Sequence, residues 1–338
     1  MKKIILFSFL LLSYSLYSQK ETLLKPGRII FYNVENLFDT INDPVTQDEE
    51  FLPESRNNWD TKKYQVKLDH ISKAIAALLD TIQPMLIGLS EVENQKVVED
   101  LIGQPSLKKF ELGIIHHDSP DERGIDVAIL YNKEALKVAF DATLKIEFPF
   151  DKDDRTRDIL YVKSYVNEGE PVWFFVNHWP SRKGGKESTE EKRKYVAQVL
   201  KNKIENIYLG EHFARVVLIG DFNDNPDDPS LNILCSALNN SKSEPMIDLM
   251  KPLQAKGEFS LKYKSEGDIF DQIIVSKNLL DNRNPFFIRN SEAHIFSPDF
   301  LLFHHPKEGL IPNRTYAQGR WTGGYSDHLP VYFDLIFK

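Results

Sequence analysis

Gly324-Tyr325-Ser326-Asp327-His328-Leu329-Pro330, followed by Val331-Tyr332-Phe333, sets a carboxylate beside an imidazole immediately ahead of an apolar run. The run reads as a buried strand, so both side chains are fixed at a strand entrance. That placement suits a metal ligand next to a base. Working outward, the same design recurs: short apolar runs that each deliver a polar side chain at one end.

Arg28-Ile29-Ile30-Phe31-Tyr32 ends in Asn33-Val34-Glu35-Asn36, and Met85-Leu86-Ile87-Gly88-Leu89 delivers Ser90-Glu91. Between them, Asp39 to Asp60 reads as an acidic surface loop. Leu68, Ile71, Ile75 and Leu78 then repeat with helical spacing, so a strand–helix–strand unit is expected. Val172-Trp173-Phe174-Phe175-Val176 ends at Asn177-His178, and Val216-Val217-Leu218-Ile219 delivers Gly220-Asp221-Phe222-Asn223, with a helix through Tyr195, Val199 and Ile204 between them. Ile269–Val275 carries a lone Asp271 within an apolar run. Many short strands and few helices predict packed β-sheets with helices outside.

The chain has 338 residues, 41% hydrophobic and 12% aromatic, which is globular, and no Gly/Pro/Ser-rich linker divides it. Lys2 and Lys3 precede the apolar run Ile4–Leu12, the layout of a signal peptide over residues 1–18. Residues 19–338 are then expected to form one catalytic domain of an exported protein, periplasmic or extracellular, with no membrane-spanning segment and no obligate protein partner. A single cysteine, Cys235, excludes an intramolecular disulfide and reads as buried and apolar.

Formal charge is -8 for the whole chain, and about -10 without the first 18 residues, a balance of 40 basic and 50 acidic residues. A broad nucleic-acid-binding face is therefore not supported, since such faces are basic. Cleavage of phosphate esters is not, given a cation and a few placed arginines. The strand ends offer Asn33, Glu91, His178, Asp221, Asn223, Asp271, Asp327 and His328. This oxygen-rich set without thiolate suits Mg²⁺, with Mn²⁺ or Ca²⁺ as alternatives.

Taken in order, Asn33-Val34-Glu35-Asn36-Leu37-Phe38, Glu91, Asn177-His178-Trp179-Pro180-Ser181, Gly220-Asp221-Phe222-Asn223 and Ser326-Asp327-His328 resemble the endonuclease/exonuclease/phosphatase superfamily, over nearly all of residues 19–338. The resemblance implies an α/β (α+β) four-layer sandwich, two packed β-sheets flanked by helices. It makes Glu91 the principal metal carboxylate, with Asn33 and Asp327 near the same ion. It makes His328 the base for water and Asp271 the carboxylate that orients it, while His178, Asp221 and Asn223 surround the scissile phosphate. Arg157 matches a position that contacts substrate phosphate; Arg123 is a second such candidate, with Asp126 expected to buttress His178.

Physical reasoning runs alongside. A buried carboxylate raises the basicity of an imidazole and fixes its tautomer, and Asp271 bonded to His328 would relieve an otherwise costly burial. Asp221 and Asn223, two apart on an extended chain, would face one way with Phe222 turned to the core. Glu93, Asp224, Asp227 and Asp228 read as solvated loop acids, and His304-His305 as structural. Two features stay open. The aromatic segment 278–321 reads equally as a lid or a packed excursion, and the basic run Arg182-Lys183-Gly184-Gly185-Lys186 as a polyanion contact or a solvated loop. The expected activity is a metal-dependent phosphodiesterase, most simply an endonuclease on DNA or RNA. Phosphatase or phospholipid phosphodiesterase action is the alternative, and a noncatalytic binding module of the same fold is disfavoured by the complete set of eight residues.

Overall fold

The computed structural model describes residues 25–166, 169, 171–236, 245–263 and 266–338, so the expected signal peptide lies outside the described residues. Along the chain run β1 (Lys25–Leu37), α1 (Thr61–Leu78), β2 (Gln83–Val92), α2 (Gln95–Ile102), β3 (Gly113–His116), β4 (Asp126–Tyr131), β5 (Leu136–Leu144), β6 (Ile159–Val166) and β7 (Pro171–His178). There follow α3 (Lys186–Gly210), β8 (Arg215–Asp221), α4 (Pro229–Cys235), β9 (Met246–Asp248), β10 (Asp271–Ser276) and β11 (Val331–Phe337).

One seven-stranded sheet has the order Phe286–Ile288, β11, β1, β2, β4, β3, with His294–Ile295 also pairing β11; a six-stranded sheet has the order β5, β6, β7, β8, β10, β9. Strand alternation builds the layers. On β1, Ile29 and Phe31 point into a core shared with Phe174, Val176, Val217 and Ile219 of the opposite sheet, while Ile30 and Tyr32 pack outward against Leu68, Ile71 and Ile75 of α1. The second sheet turns Phe175, Val216 and Leu218 outward to Val196, Leu200 and Ile204 of α3. Helices, sheet, sheet, helices is the expected four-layer order. Gly88 permits the close approach of the sheets: a Cβ there would lie 2.9 Å from Ile219 Cδ1.

Two pairs of strands are parallel, β1 with β2 across α1, and β7 with β8 across α3. Parallel pairing brings the carboxyl ends of all four strands to one end of the sandwich. At Gly220, opposite Asn177, a Cβ would lie 2.4 Å from the Asn177 carbonyl, so glycine lets β7 and β8 meet there. Antiparallel β10 and β11 begin at the same end, since Asp271 faces Asp221 and Val331 faces Phe31.

The 278–321 segment is largely a packed excursion. Its strands Phe286–Ile288 and His294–Ile295 extend the first sheet and Phe286 is buried. His304 and His305 lie in a hairpin formed by Leu302–His305 and Gly309–Pro312, with Phe300 and Phe303 partly exposed.

Candidate active site

Asn33, at the end of β1, links the two sheets: its Nδ2 donates to Glu91 Oε1 at 3.3 Å and to Asp221 Oδ2 at 3.0 Å, while its Oδ1 accepts the Glu35 amide. Held so, Asn33 presents N–H groups to the carboxylates and braces them. Glu91 has φ +62°, and across from it Glu35 and Asn36 have φ +50° and +58°. The register between β1 and β2 shifts between Asn33 and Leu37, and the Asn36 amide donates to Glu91 Oε2 at 3.0 Å. Left-handed conformations at non-glycine residues cost about 1–3 kcal/mol each, and such costs concentrate at functional sites. Here the bulge aims one carboxylate.

His178 Nε2 lies 3.8 Å from Glu91 Oε1 and 3.7 Å from Asp221 Oδ2. Burial, and then the charges of Arg157 and Arg123, push its imidazole well below the usual range, so it is neutral. Its Nδ1 is buried without a partner, as is Asp271 Oδ1. His328 Nδ1 meets Asp271 Oδ2 at 2.8 Å, and its Nε2 is 3.8 Å from Asp221 Oδ2. Burial opposes charge on His328, but the carboxylates of Asp271 and Asp221 outweigh it and hold the imidazole well above its usual value. Ser326 fixes the turn, its hydroxyl donating to the Asn33 carbonyl and accepting the His328 amide.

Asp327 meets Arg314 at 2.7 Å, and Arg314 Nε approaches Glu35 at 3.6 Å. Behind them Lys67 is fully buried, donating to Thr315 Oγ1 and the Tyr325 carbonyl. Burial lowers the Lys67 ammonium to about 8 against the pull of Glu35, Asp327 and Glu91; burial and then Asp327 raise Glu35 to about 7. Burial also raises Asp221 to about 6. Glu35 and Asp221 thus lack sufficient cationic charge around them, and the hard oxygen donors Glu91 and Asp327 beside them fit a divalent metal and would hold it, braced by Asn33. Among the described residues, the trio whose donor atoms all lie within 4.8 Å is elsewhere, His116, Asp118 and Asp126 at the β3–β4 edge.

Arg157 is buried, its guanidinium bonded to Asp121 at 2.8 Å and to the carbonyls of His178 and Trp179, so it forms a wall of the site. Two expectations are corrected. Asp126 accepts from Ser119 and bonds His116 at 3.1 Å, so it does not buttress His178. β8 ends at Asp221, and Asn223 takes φ +50° with its Nδ2 on the Trp179 carbonyl; a tight turn, not an extended chain, positions it, although Phe222 is buried in the core as expected. Arg123 is half exposed, 3.8 Å from Asp121.

Asp224 is no solvated acid. It is fully buried, 2.8 Å from Arg193 and 2.9 Å from Arg182, with the Ser230 hydroxyl donating to it, and Arg182 also reaches Asp228. Glu93 and Asp228 are likewise buried, whereas Asp227 is exposed as expected. Of the residues around the site left unassigned from sequence, Lys67 carried a signal: it sits on the apolar stripe of α1 beside Tyr64, Leu68 and Ile71. Arg314 carried none.

A model of the endonuclease/exonuclease/phosphatase family matches residues 28–336. The chain belongs to this family. Its members are generally phosphoric ester hydrolases that depend on divalent metal. A family protein from Bacteroides thetaiotaomicron shares 16% identity at TM-score 0.57, covering 93% of this chain and 99% of that one. A mannosyl-6-phosphatase from B. thetaiotaomicron VPI-5482 shares 15% at 0.56, covering 92% and 100%. The human Nocturnin catalytic domain shares 17% at 0.55, covering 93% and 95%. These likenesses show the fold. No curated protein matches the chain, and among the described residues no helix is long and apolar enough to cross a membrane.

Proposed function

We propose that this chain is an exported, Mg²⁺-dependent phosphodiesterase that hydrolyses nucleic acid. The observation that carries the hydrolytic reading is the His328–Asp271 contact at 2.8 Å, with His328 Nε2 turned toward the Asp221 and His178 side of the site. Asp271 strengthens the basicity of Nε2 and fixes the tautomer, so His328 in its neutral form takes the proton of the attacking water. Neutral His178, Asn223 and Asp221 line the opposite side and orient the phosphate. A divalent cation bound at Glu91 and Asp327 would polarise the phosphate and stabilise the charge that develops on it. Asn33 keeps the carboxylates on both sheets in register with one another. Export rests on the layout of residues 1–18, and the nucleic-acid substrate on the cations after His178.

A second reading, phosphatase action on a small polar ester, is favoured by the acidic net charge and by a cavity of about 290 Å³ beside Glu35 and Asn36, floored by Phe51, Trp59 and Tyr316. Cleavage of plasmid DNA, RNA, inositol phosphates, sugar phosphates and sphingomyelin, with each metal or chelator, separates the two. Metal-dependent nicking is expected. Silence on nucleic acid with turnover of a smaller ester replaces the substrate. His328→Ala is expected to lower turnover by at least ~100-fold with folding retained, and normal turnover in that variant would remove the mechanism.

A further inference from the structure

Arg157 forms a wall beside His178, and next to it opens a cavity of about 210 Å³ whose lining includes Arg123, Arg155, Thr156, Pro180, Ser181 and Lys183. Pro180 and Ser181 follow His178 after Trp179 in sequence, so the cavity adjoins the place assigned to the scissile phosphate. Two of its acids are neutralised in place, Asp121 by Arg157 at 2.8 Å and Asp154 by Lys192 at 2.8 Å. That leaves Glu122 against Arg123, Arg155 and Lys183. Among the described residues neither Arg155 nor Lys183 has an ion-pair partner, and both are exposed. The rest of the basic run is unavailable: Arg182 and Lys186 are bound to Asp228, and Arg182 to Asp224 as well.

Thr156 adds an independent observation. Its residue is 3% exposed, its Oγ1 is buried with no hydrogen-bond partner, and it lines this cavity. Buried hydroxyls without partners are rare and call for an absent one. Three cations around one cavity, in a chain whose overall field is negative, are selective for a compact anion with several acceptor oxygens. We infer that this cavity is a subsite for a second phosphate group of the substrate, bound by Arg155, Lys183 and Arg123, with Thr156 in its wall. The inference rests on the proposed hydrolytic site and narrows its substrate to esters that carry another phosphate near the scissile one. A strand of nucleic acid supplies such a group, and so does a bisphosphorylated inositol.

The test is binding, by titration calorimetry with Mg²⁺ on the full chain carrying His328→Ala, so that ligands are not consumed. Thymidine 3′,5′-bisphosphate is compared with thymidine 5′-monophosphate, and inositol 1,4-bisphosphate with inositol 1-phosphate. In at least one pair the bisphosphate is expected to bind at least ~10-fold more tightly, as charged hydrogen bonds allow, and that pair names the source. Adding Arg155→Ala and Lys183→Ala, both at exposed side chains, should reduce the advantage to within about twofold, with Thr156→Val an isosteric second variant acting in the same direction. No advantage in either pair, or an advantage that survives the double substitution, overturns the subsite. The hydrolytic reading fails separately, by inactivity of the unsubstituted chain on every ester, while the binding comparison still stands.

Discussion

The two strand–helix–strand units, β1–α1–β2 and β7–α3–β8, share a topology and point the same ends at the site, yet they balance charge in opposite ways. In the first, Glu35 lies against Lys67 and Arg314 yet stands at about 7, because burial and Asp327 outweigh those cations. In the second, the buried acids of the turn after β8 are matched: Asp224 by Arg193 and Arg182, Asp228 by Arg182 and Lys186. An unbalanced cluster of carboxylates is where a cation from solution lowers the free energy, whereas a balanced one is scaffold. The same logic separates buried acids that bind from buried acids that hold a loop.

The comparison breaks most sharply at Glu91. Glu91→Gln should lower turnover by at least ~100-fold and abolish the rise in thermal midpoint on adding metal, read by calorimetry with and without chelator. A metal-induced rise that persists with normal turnover would place the cation elsewhere, and His116, Asp118 and Asp126 would be the next site to test. Asp224→Asn acts on the other unit. Leaving Arg193 buried and unpaired should cost about 3–5 kcal/mol in urea unfolding, while the metal-induced shift of the folded protein is kept. An unchanged unfolding midpoint would show that the balanced cluster is not scaffold.

A smaller effect comes from outside both units. Asp248, on β9, has a buried Oδ2 without a partner, and burial raises its carboxyl to about 7. A folded value above the unfolded one means that the folded state binds more protons, so stability falls as pH rises from about 4 through 7. In Asp248→Asn that decline should flatten, as measured by thermal midpoints at pH 5 and pH 8. An identical slope in both proteins would show that Asp248 does not carry the dependence.

Much of the site was legible because strand ends are local. An apolar run followed by a polar residue gives the position of Asn33, Glu91, His178, Asp221 and His328 with little help from the rest of the chain, and alternation along β1 and β8 assigns their faces. The pairing of His328 with Asp271 could be argued from sequence because a lone carboxylate in an apolar strand needs a partner. The surroundings of Arg157 were not legible for the converse reason. Its residue type fits a phosphate, but whether a guanidinium is free depends on what packs beside it, and Asp121 lies 36 residues earlier.

The sequence by itself therefore determined the layered architecture, the order of the strand ends and the kinds of side chain they carry, because period and strand termini are set by neighbours a few residues away. The tertiary structure alone decided which of the charges are matched. Lys67 meets the Asp327 turn across 258 residues, Arg193 meets Asp224 through the packing of α3 on the turn after β8, and Arg155 and Lys183, beside Thr156, have no ion-pair partner among the described residues. Charge balance is a property of distances in space, and those exist only once the sheets have packed.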